Sequence, residues 1–126
     1  MTARAPVVAV IGASADRGKF GNKALRALKA RGYTVIPINP TAAEIEGERA
    51  YKSVLEYPGS IDEATLYVPP SVGVRLMDDI ARKGIRRIWL NPGADGDEVV
   101  ARARSLGLTP TIACTIIAAG EIPDAY

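Results

Sequence analysis

Between Gly12 and Gly21 the chain reads Gly-Ala-Ser-Ala-Asp-Arg-Gly-Lys-Phe-Gly, directly after the apolar run VVAVI at positions 7 to 11. Three glycines, the hydroxyl of Ser14 and the cations Arg17 and Lys19 stand within ten residues. Glycines let backbone N–H groups approach an anion, and a helix beginning behind them turns its positive end toward it. The chemistry that suits this stretch is the binding of a phosphate or diphosphate. It matches neither of the two familiar phosphate motifs. The dinucleotide fingerprint G-x-G-x-x-G fails at its second glycine, where Ser14 stands. The Walker pattern fails because five residues separate Gly12 from Gly18, and because Phe20 follows Lys19 where Ser or Thr would hold Mg²⁺. ATP hydrolysis on this loop is not expected. The alternative reading is purely architectural: Gly12 turns the chain and Gly21 admits close packing of the helix.

Other chemistries are restricted by what the chain lacks. It contains no histidine and a single cysteine, Cys114. A histidine triad, a His-ligated zinc and a phosphohistidine are therefore excluded, as are an internal disulfide and a cysteine metal cluster. A nucleophilic cysteine needs a cation, a helix N-terminus or a His beside it. Cys114 instead lies among Ile112, Ala113, Thr115, Ile116 and Ile117, which favours a packing role. It stands at the end of the last expected strand, where a mixed disulfide with a thiol ligand is the competing role. No catalytic residue is assigned.

At 126 residues, 48% hydrophobic and 24% charged, the chain has the composition of one globular domain spanning 1–126. A net charge of +2 gives no case for nucleic acid. The opening MTARAPVV has no leader-length apolar region and no stretch is long enough to span a membrane, so a cytoplasmic protein with no membrane contact is expected.

These residues must be positioned by alternating strands and helices. VVAVI suits a strand buried on both faces. Ala24, Leu25 and Leu28 recur at helical spacing up to Gly32. Tyr33 to Ile38 reads as a second strand ending in Asn39-Pro40-Thr41. In a dinucleotide fold this strand end carries the acid that grips the ribose of NAD; here it is Asn39, which weakens NAD(P) while leaving it as the alternative ligand. From Ala42 to Ser60 the pattern is weak, with a very short edge strand at Ala50-Tyr51 and a helical turn at Ser53 to Glu56. Ala64 to Val68 is the next strand, closed by Pro69-Pro70-Ser71, and Val72, Leu76, Met77 and Ile80 mark a core-facing helix ending at Gly84. Ile85 to Leu90 is a strand, followed by Asn91-Pro92-Gly93. Asp95 with Glu98 predicts a capping box opening a helix that runs to Gly107. Leu108 to Ala113, interrupted by Pro110, predicts an edge strand. Residues 115 to 126 read as an apolar tail without a period.

The expected fold is α/β: a Rossmann-like, doubly wound parallel sheet in a single three-layer domain, strand order 3-2-1-4-5-6. Four strand-end loops then converge at the switch point: Gly12 to Gly21, Asn39 to Thr41, Tyr67 to Ser71 and Asn91 to Gly93.

The series VAVIGAS, GKFG, Tyr33-x-Val35-x-Pro37-x-Asn39-Pro40, Gly47 with Ala50-Tyr51-x-Ser53, and Tyr67-Val68-Pro69-Pro70 resembles the small stand-alone coenzyme A-binding proteins. It is also similar to the amino-terminal CoA-binding domain of ADP-forming acyl-CoA synthetases and of the succinyl-CoA synthetase α subunit. The resemblance runs from Val7 to about Glu121. It implies CoA or an acyl-CoA as ligand, with Gly12, Ala13, Ser14, Arg17, Lys19, Phe20 and Gly21 around the phosphates. It further implies Asn39, Pro40 and Thr41 beside the adenosine and Tyr67, Val68, Pro69 and Pro70 as a wall, to which the converging strand-end loops add Asn91, Pro92 and Gly93. It departs from the family at Thr41, where a lysine often follows Asn-Pro, so Arg17, Lys19, Lys23 or Arg49 must supply the charge for a ribose phosphate. It implies a carrier, sensor or regulatory module without the phosphohistidine and ATP-grasp parts, acting alone, as a homo-oligomer, or as a subunit beside a separate synthetase chain.

Overall fold

The computed structural model describes residues 5–126. Residues 1–4, part of the opening read above, lie outside the described residues. VVAVI forms β1 (Val7–Ile11), and its alternate side chains enter two different cores. It pairs in parallel with β2 (Thr34–Ile38) on one side and β5 (Glu63–Leu66) on the other; β6 (Arg87–Leu90) and β7 (Thr109–Ile112) extend the sheet beyond β5. The strand order is β2-β1-β5-β6-β7, all parallel.

The third strand of the expected order is reduced to one residue. Tyr51 donates its N–H to the Pro37 carbonyl (3.0 Å) and accepts from Asn39 N–H (2.9 Å), forming a single parallel bridge beside Ile38. It goes no further because both sides are committed elsewhere. Ala50 N–H donates to Ala43, and Ser53 Oγ accepts from Leu55 N–H to open a 3-10 turn at Val54–Glu56.

Helices cover both faces. Ala9, Ile11, Ala64, Leu66, Ile88 and Leu90 pack against α2 (Pro70–Arg82) and α3 (Asp97–Ser105) through Met77, Ile80, Val99 and Ala103. On the other face Val8, Val10 and Val35 meet Leu25 and Leu28 of α1 (Phe20–Ala30), and Ile116 of α4 (Thr115–Ala118) packs on Ala24 and Ala27. All of these side chains are buried, consistent with a two-sided core of aliphatic residues.

Three sequence expectations are corrected. The weak stretch after Pro40 contains a hairpin, β3 (Glu44–Ile45) and β4 (Glu48–Arg49), turned by Glu46 and Gly47 at φ 51° and 78°. Two-residue strands are too short to carry a period, so only Gly47 marks it. The expected capping box is absent: α3 begins at Asp97 with Gly96 as its N-cap, and the Asp95 carboxylate accepts from Gly93 N–H (3.2 Å) in the preceding turn. The apolar tail is ordered as α4 and a 3-10 turn, Pro123–Ala125. Its one buried apolar side chain, Ile116, is too little for a periodic signal. Pro110 sits on the edge strand β7 as expected. Among the described residues no helix is long and apolar enough to cross a membrane, and no group of three or more His, Cys, Asp or Glu is placed to hold a metal.

Candidate functional site

The site lies at the carboxyl ends of β1, β2, β5 and β6, where the chain leaves β1 for opposite neighbours. Its geometry is set by two glycines. Gly12 takes φ +90°, and a Cβ there would stand 2.7 Å from the Tyr67 carbonyl oxygen. A Cβ on Gly21 would stand 2.4 Å from the Gly12 carbonyl oxygen. The first turn of α1 is thus pressed against the end of β1 with no room for a side chain at either position. The architectural reading of these glycines holds, and it is also what brings the helix end into the loop.

Between them the loop folds on itself. Ser14 Oγ accepts from Asp16 N–H (3.1 Å), Asp16 Oδ1 from Gly18 N–H (2.9 Å), and the Asp16 carbonyl from Lys19 N–H (3.1 Å). The N–H groups at the start of α1, at Phe20 and Gly21, have no intrahelical acceptor by the nature of a helix end. No side chain caps them and no acid stands in the first turn. The exposed Lys19, which makes no ion pair among the described residues, stands beside them, an arrangement of donors and charge chemically suited to an anion.

These groups open onto a hollow of about 510 Å³ lined by the expected site residues Gly12, Lys19, Phe20, Gly21, Tyr67, Val68, Pro69, Pro92 and Gly93, together with Gly18 and Ala94, which were not among them. A second hollow of about 320 Å³ adjoins it, sharing Gly12 and Val68. Its lining is mostly aliphatic: Ile11, Ile38, Val54, Val72, Leu76 and Ile80, with Pro40 at the rim and Lys52 and Asp79 as its charged groups. A third basin of about 480 Å³ contains Thr41 and is joined to the second through Lys52.

Several expected contacts serve the scaffold instead. Asn39 Oδ1 accepts from Thr41 N–H and Ala42 N–H (both 2.8 Å), and its Nδ2 donates to the Ala13 carbonyl (2.9 Å). Asn39 therefore fastens two site loops together, and Ala13 is buried behind them. Asn91 is likewise buried, donating to Thr65 Oγ1 (2.7 Å) and the Leu66 carbonyl (2.9 Å) while accepting from Thr115 N–H (2.8 Å). Arg17 turns away from the hollows toward Glu46 at 3.8 Å. Pro70 opens α2 at its first turn, and Ser14 and Arg17 stand outside the linings of the three hollows. Lys23 rests over the Phe20 ring at 5.4 Å.

Tyr67 forms part of the wall between the loop hollow and the core around Ala24, Ala27 and Cys114. Its hydroxyl is buried without a hydrogen bond of acceptable geometry. Burial, and then the neighbouring Cys114 thiol, push its pKa well above that of a free phenol; the nearby hydroxyls of Thr65 and Thr115 offset part of this.

Residues missed by the sequence reading are Lys52, Ser53 and Val54 of the 3-10 turn, and Val72 and Leu76 of α2 as groove-lining rather than core side chains. Val72, Leu76 and Ile80 are spaced four apart, a spacing that looks the same for a core and for a groove floor. Val72 and Leu76 are only half-buried.

A parallel, doubly wound sheet with helices on both faces defines a Rossmann-like class of α/β fold. Within that class, residues 6–120 match the model of the CoA binding domain family, and the chain belongs to that family. It is 39% identical over 79 residues to the ADP-forming acetate–CoA ligase of Methanocaldococcus jannaschii, an alignment covering 63% of this chain and 11% of the ligase. It is 38% identical over 91 residues to the α subunit of ADP-forming acetate–CoA ligase II of Pyrococcus furiosus, covering 71% of this chain and 20% of the subunit. The chain thus spans a fifth or less of the length of these curated relatives. A solved structure of a hypothetical protein from Pyrococcus horikoshii superposes with a TM-score of 0.82 at 28% identity, covering 87% of this chain and 78% of that one.

Proposed function

We propose that the chain binds coenzyme A or an acyl-CoA, acting as a carrier, sensor or regulatory module, or as the CoA-binding part of an ADP-forming acyl-CoA ligase assembled with other chains. The observation that carries this reading is that the two hollows adjoin at Gly12 and Val68. One half is aliphatic and suits an adenine ring; the other has an uncapped helix start and Lys19 and suits a diphosphate. The aliphatic half, about 320 Å³, lies at the small end of the ~300–1,000 Å³ typical of small-molecule sites. That is room for a base rather than for a whole cofactor, so the remainder of the ligand runs along the loop hollow toward Pro69 and Pro92.

Membership of the CoA binding domain family and similarity to two acetate–CoA ligases support CoA over other adenine nucleotides. Asn39 supports it further. Its side-chain oxygen is occupied by two backbone N–H groups, and it carries no negative charge to hold the diol of an NAD ribose. CoA bound here would supply the thiol that carries an acyl group. This chain's own residues would bind and orient the nucleotide end. The chain has no histidine to carry a phosphoryl group between partners.

Isothermal titration calorimetry with CoA, acetyl-CoA, NAD and NADP tests the proposal. CoA and acetyl-CoA should bind one per chain, with NAD much weaker. Tight NAD binding with no heat from CoA would reverse it.

A further inference from the structure

Along the loop between Gly12 and Gly21 the carbonyls of Ala13, Ser14, Asp16 and Arg17 are each taken up by a donor. Two of these donors, Asn22 on Ser14 and Arg26 on Arg17, are side chains one turn apart on α1. Resting on the proposal that a nucleotide diphosphate binds at this loop, we propose that Asn22 and Arg26 are positioning residues for it. They hold two loop carbonyls against the helix, so that the side of the loop offered to the ligand presents N–H groups. Neither lines any of the three hollows, so both act through the loop and not by touching the nucleotide.

Asn22 is fully buried. Its amide donates to the Ser14 carbonyl (2.8 Å) and to Glu46 Oε2 (3.2 Å), and its Oδ1 accepts from Arg26 Nε (2.7 Å), so both hydrogens and the oxygen are used. An inward-facing helix position is filled more stably by alanine or leucine, and a buried amide is tolerated only where its partners are supplied. Here they come from the loop, the hairpin turn and the helix itself. Arg26 faces no carboxylate within 4 Å among the described residues, unlike Arg17, Arg31, Arg87 and Arg102. Its fork is directed to oxygens without formal charge: Nε to Asn22, and Nη2 to the Arg17 carbonyl (3.0 Å) and the Tyr126 carbonyl (3.3 Å). The Tyr126 ring, 5.7 Å away, seats the guanidinium. Glu46, the far anchor of the Asn22 amide, is fixed in turn: Lys29 Nζ donates to its carbonyl at 3.4 Å and Arg17 lies 3.8 Å from its carboxylate. A trans peptide points its C=O and N–H in opposite directions. With the Ser14 carbonyl drawn onto Asn22, the Ala15 N–H is turned away from the helix. A carbonyl free to swing to the ligand side would set its partial negative charge against the phosphates.

The test titrates inorganic pyrophosphate and CoA into the ¹⁵N-labelled wild-type chain and into Asn22→Leu and Arg26→Lys, read by amide shifts, with thermal melts measured separately. Leucine nearly matches asparagine in shape and removes the donor to Ser14. Lysine keeps the charge of Arg26, but one ammonium cannot reproduce the planar fork that serves Asn22, Arg17 and Tyr126 together. Both ligands should bind each variant roughly tenfold more weakly than wild type, about the effect of one net hydrogen bond. In the unliganded variants the amide shifts should change at Ala15 and at the start of α1, while those of Ile38, Val54 and Val72 around the aliphatic hollow keep their wild-type values. Shifts that change as much around the aliphatic hollow as in the loop would make the two side chains merely structural and overturn the proposal. Wild-type pyrophosphate affinity in Arg26→Lys would show that charge alone suffices, and also overturns it. Should Asn22→Leu fail to fold, Arg26→Lys, a change at a half-buried position, decides alone. A wild-type chain that binds pyrophosphate but not CoA removes the CoA reading and leaves the pyrophosphate arm to decide the positioning role; one that binds neither overturns both.

Discussion

Replacing Gly21 with alanine puts a methyl group where the structure has room for none. The added Cβ would meet the Gly12 carbonyl oxygen at 2.4 Å and the Ala13 Cα at 3.3 Å, both backbone atoms that cannot swing aside. Relaxing that contact to an ordinary carbon–oxygen distance of about 3.3 Å needs about 0.9 Å of separation between α1 and the end of β1. Overpacking of this kind costs about 1–3 kcal/mol, and a clash with backbone belongs at the upper end. Alanine returns up to ~1 kcal/mol through its better helix propensity. The net loss is about 2 kcal/mol, which lowers the melting temperature of a domain this size by roughly 6–8 °C. The same displacement moves the helix start and Lys19 away from the end of β1 and the Tyr67 wall, so CoA affinity should fall about tenfold or more. Gly18→Ala is the control: its Cβ would meet only the exposed Asp16 side chain, at 3.3 Å, and should change stability by less than about 0.5 kcal/mol. Thermal melts followed by circular dichroism, paired with calorimetric titration, read both effects. A Gly21→Ala variant that melts within about 2 °C of wild type and binds CoA unchanged refutes the claim that the two glycines set the helix against the loop.

Lys19→Ala should weaken CoA by about 1–2 kcal/mol in calorimetric titration and leave the melting temperature nearly unchanged, since the side chain is exposed and makes no ion pair. Asn39→Ala removes bonds to Ala13, Thr41 and Ala42 and should lower stability by about 2 kcal/mol in urea unfolding, with ligand affinity falling because two site loops come apart. Tyr67→Phe removes a buried hydroxyl that has no hydrogen-bond partner and should be neutral or stabilising by up to about 1 kcal/mol at pH 7. Because the folded-state pKa of Tyr67 is raised, the stability linked to it is complete below the free phenol value of ~10 and is lost as pH rises beyond it. The variant should therefore show a shallower loss of stability above pH 10 than wild type. Cys114, half-buried against Ala24, Ala27 and Ile116, should react with iodoacetamide slowly at neutral pH and completely only after denaturation, read by mass; fast labelling that CoA blocks would give it a role at the ligand.

The sheet and its helices were legible because each element carries a long-range burial pattern. VVAVI, the α1 residues Ala24, Leu25 and Leu28, and the proline-closed strand before Pro69 each announce a buried face, and the parallel order follows from their alternation. The loop hollow was legible for the same reason: glycines at 12 and 21, and proline at 69, have few other uses at strand ends. What escaped was short or ambiguous. The hairpin of Glu44–Ile45 with Glu48–Arg49 is two residues deep, and Ile116 is the single buried apolar side chain of α4, whose other buried residue, Thr115, is held by hydrogen bonds. Lys52 is indistinguishable in sequence from any solvated lysine; its place between groove and basin depends on the Tyr51 bridge, a single long-range contact. Asn39 and Asn91 read as ligand contacts because polar residues at strand ends usually are. Asn39 also closes a local turn onto Thr41 and Ala42, but its other partner Ala13 and the Asn91 partner Thr115 lie 26 and 24 residues away and leave no local signal.

The central claim is that a single nucleotide occupies the two adjoining hollows with its base among Ile38, Val54 and Val72 and its diphosphate over the start of α1. A crystal structure of the CoA complex tests it most directly. The account predicts the adenine ring in the aliphatic hollow and the diphosphate within hydrogen-bond reach of the Phe20 and Gly21 N–H groups and Lys19. CoA bound with its diphosphate away from the helix start, or with its adenine outside the hollow between β2 and α2, would contradict it.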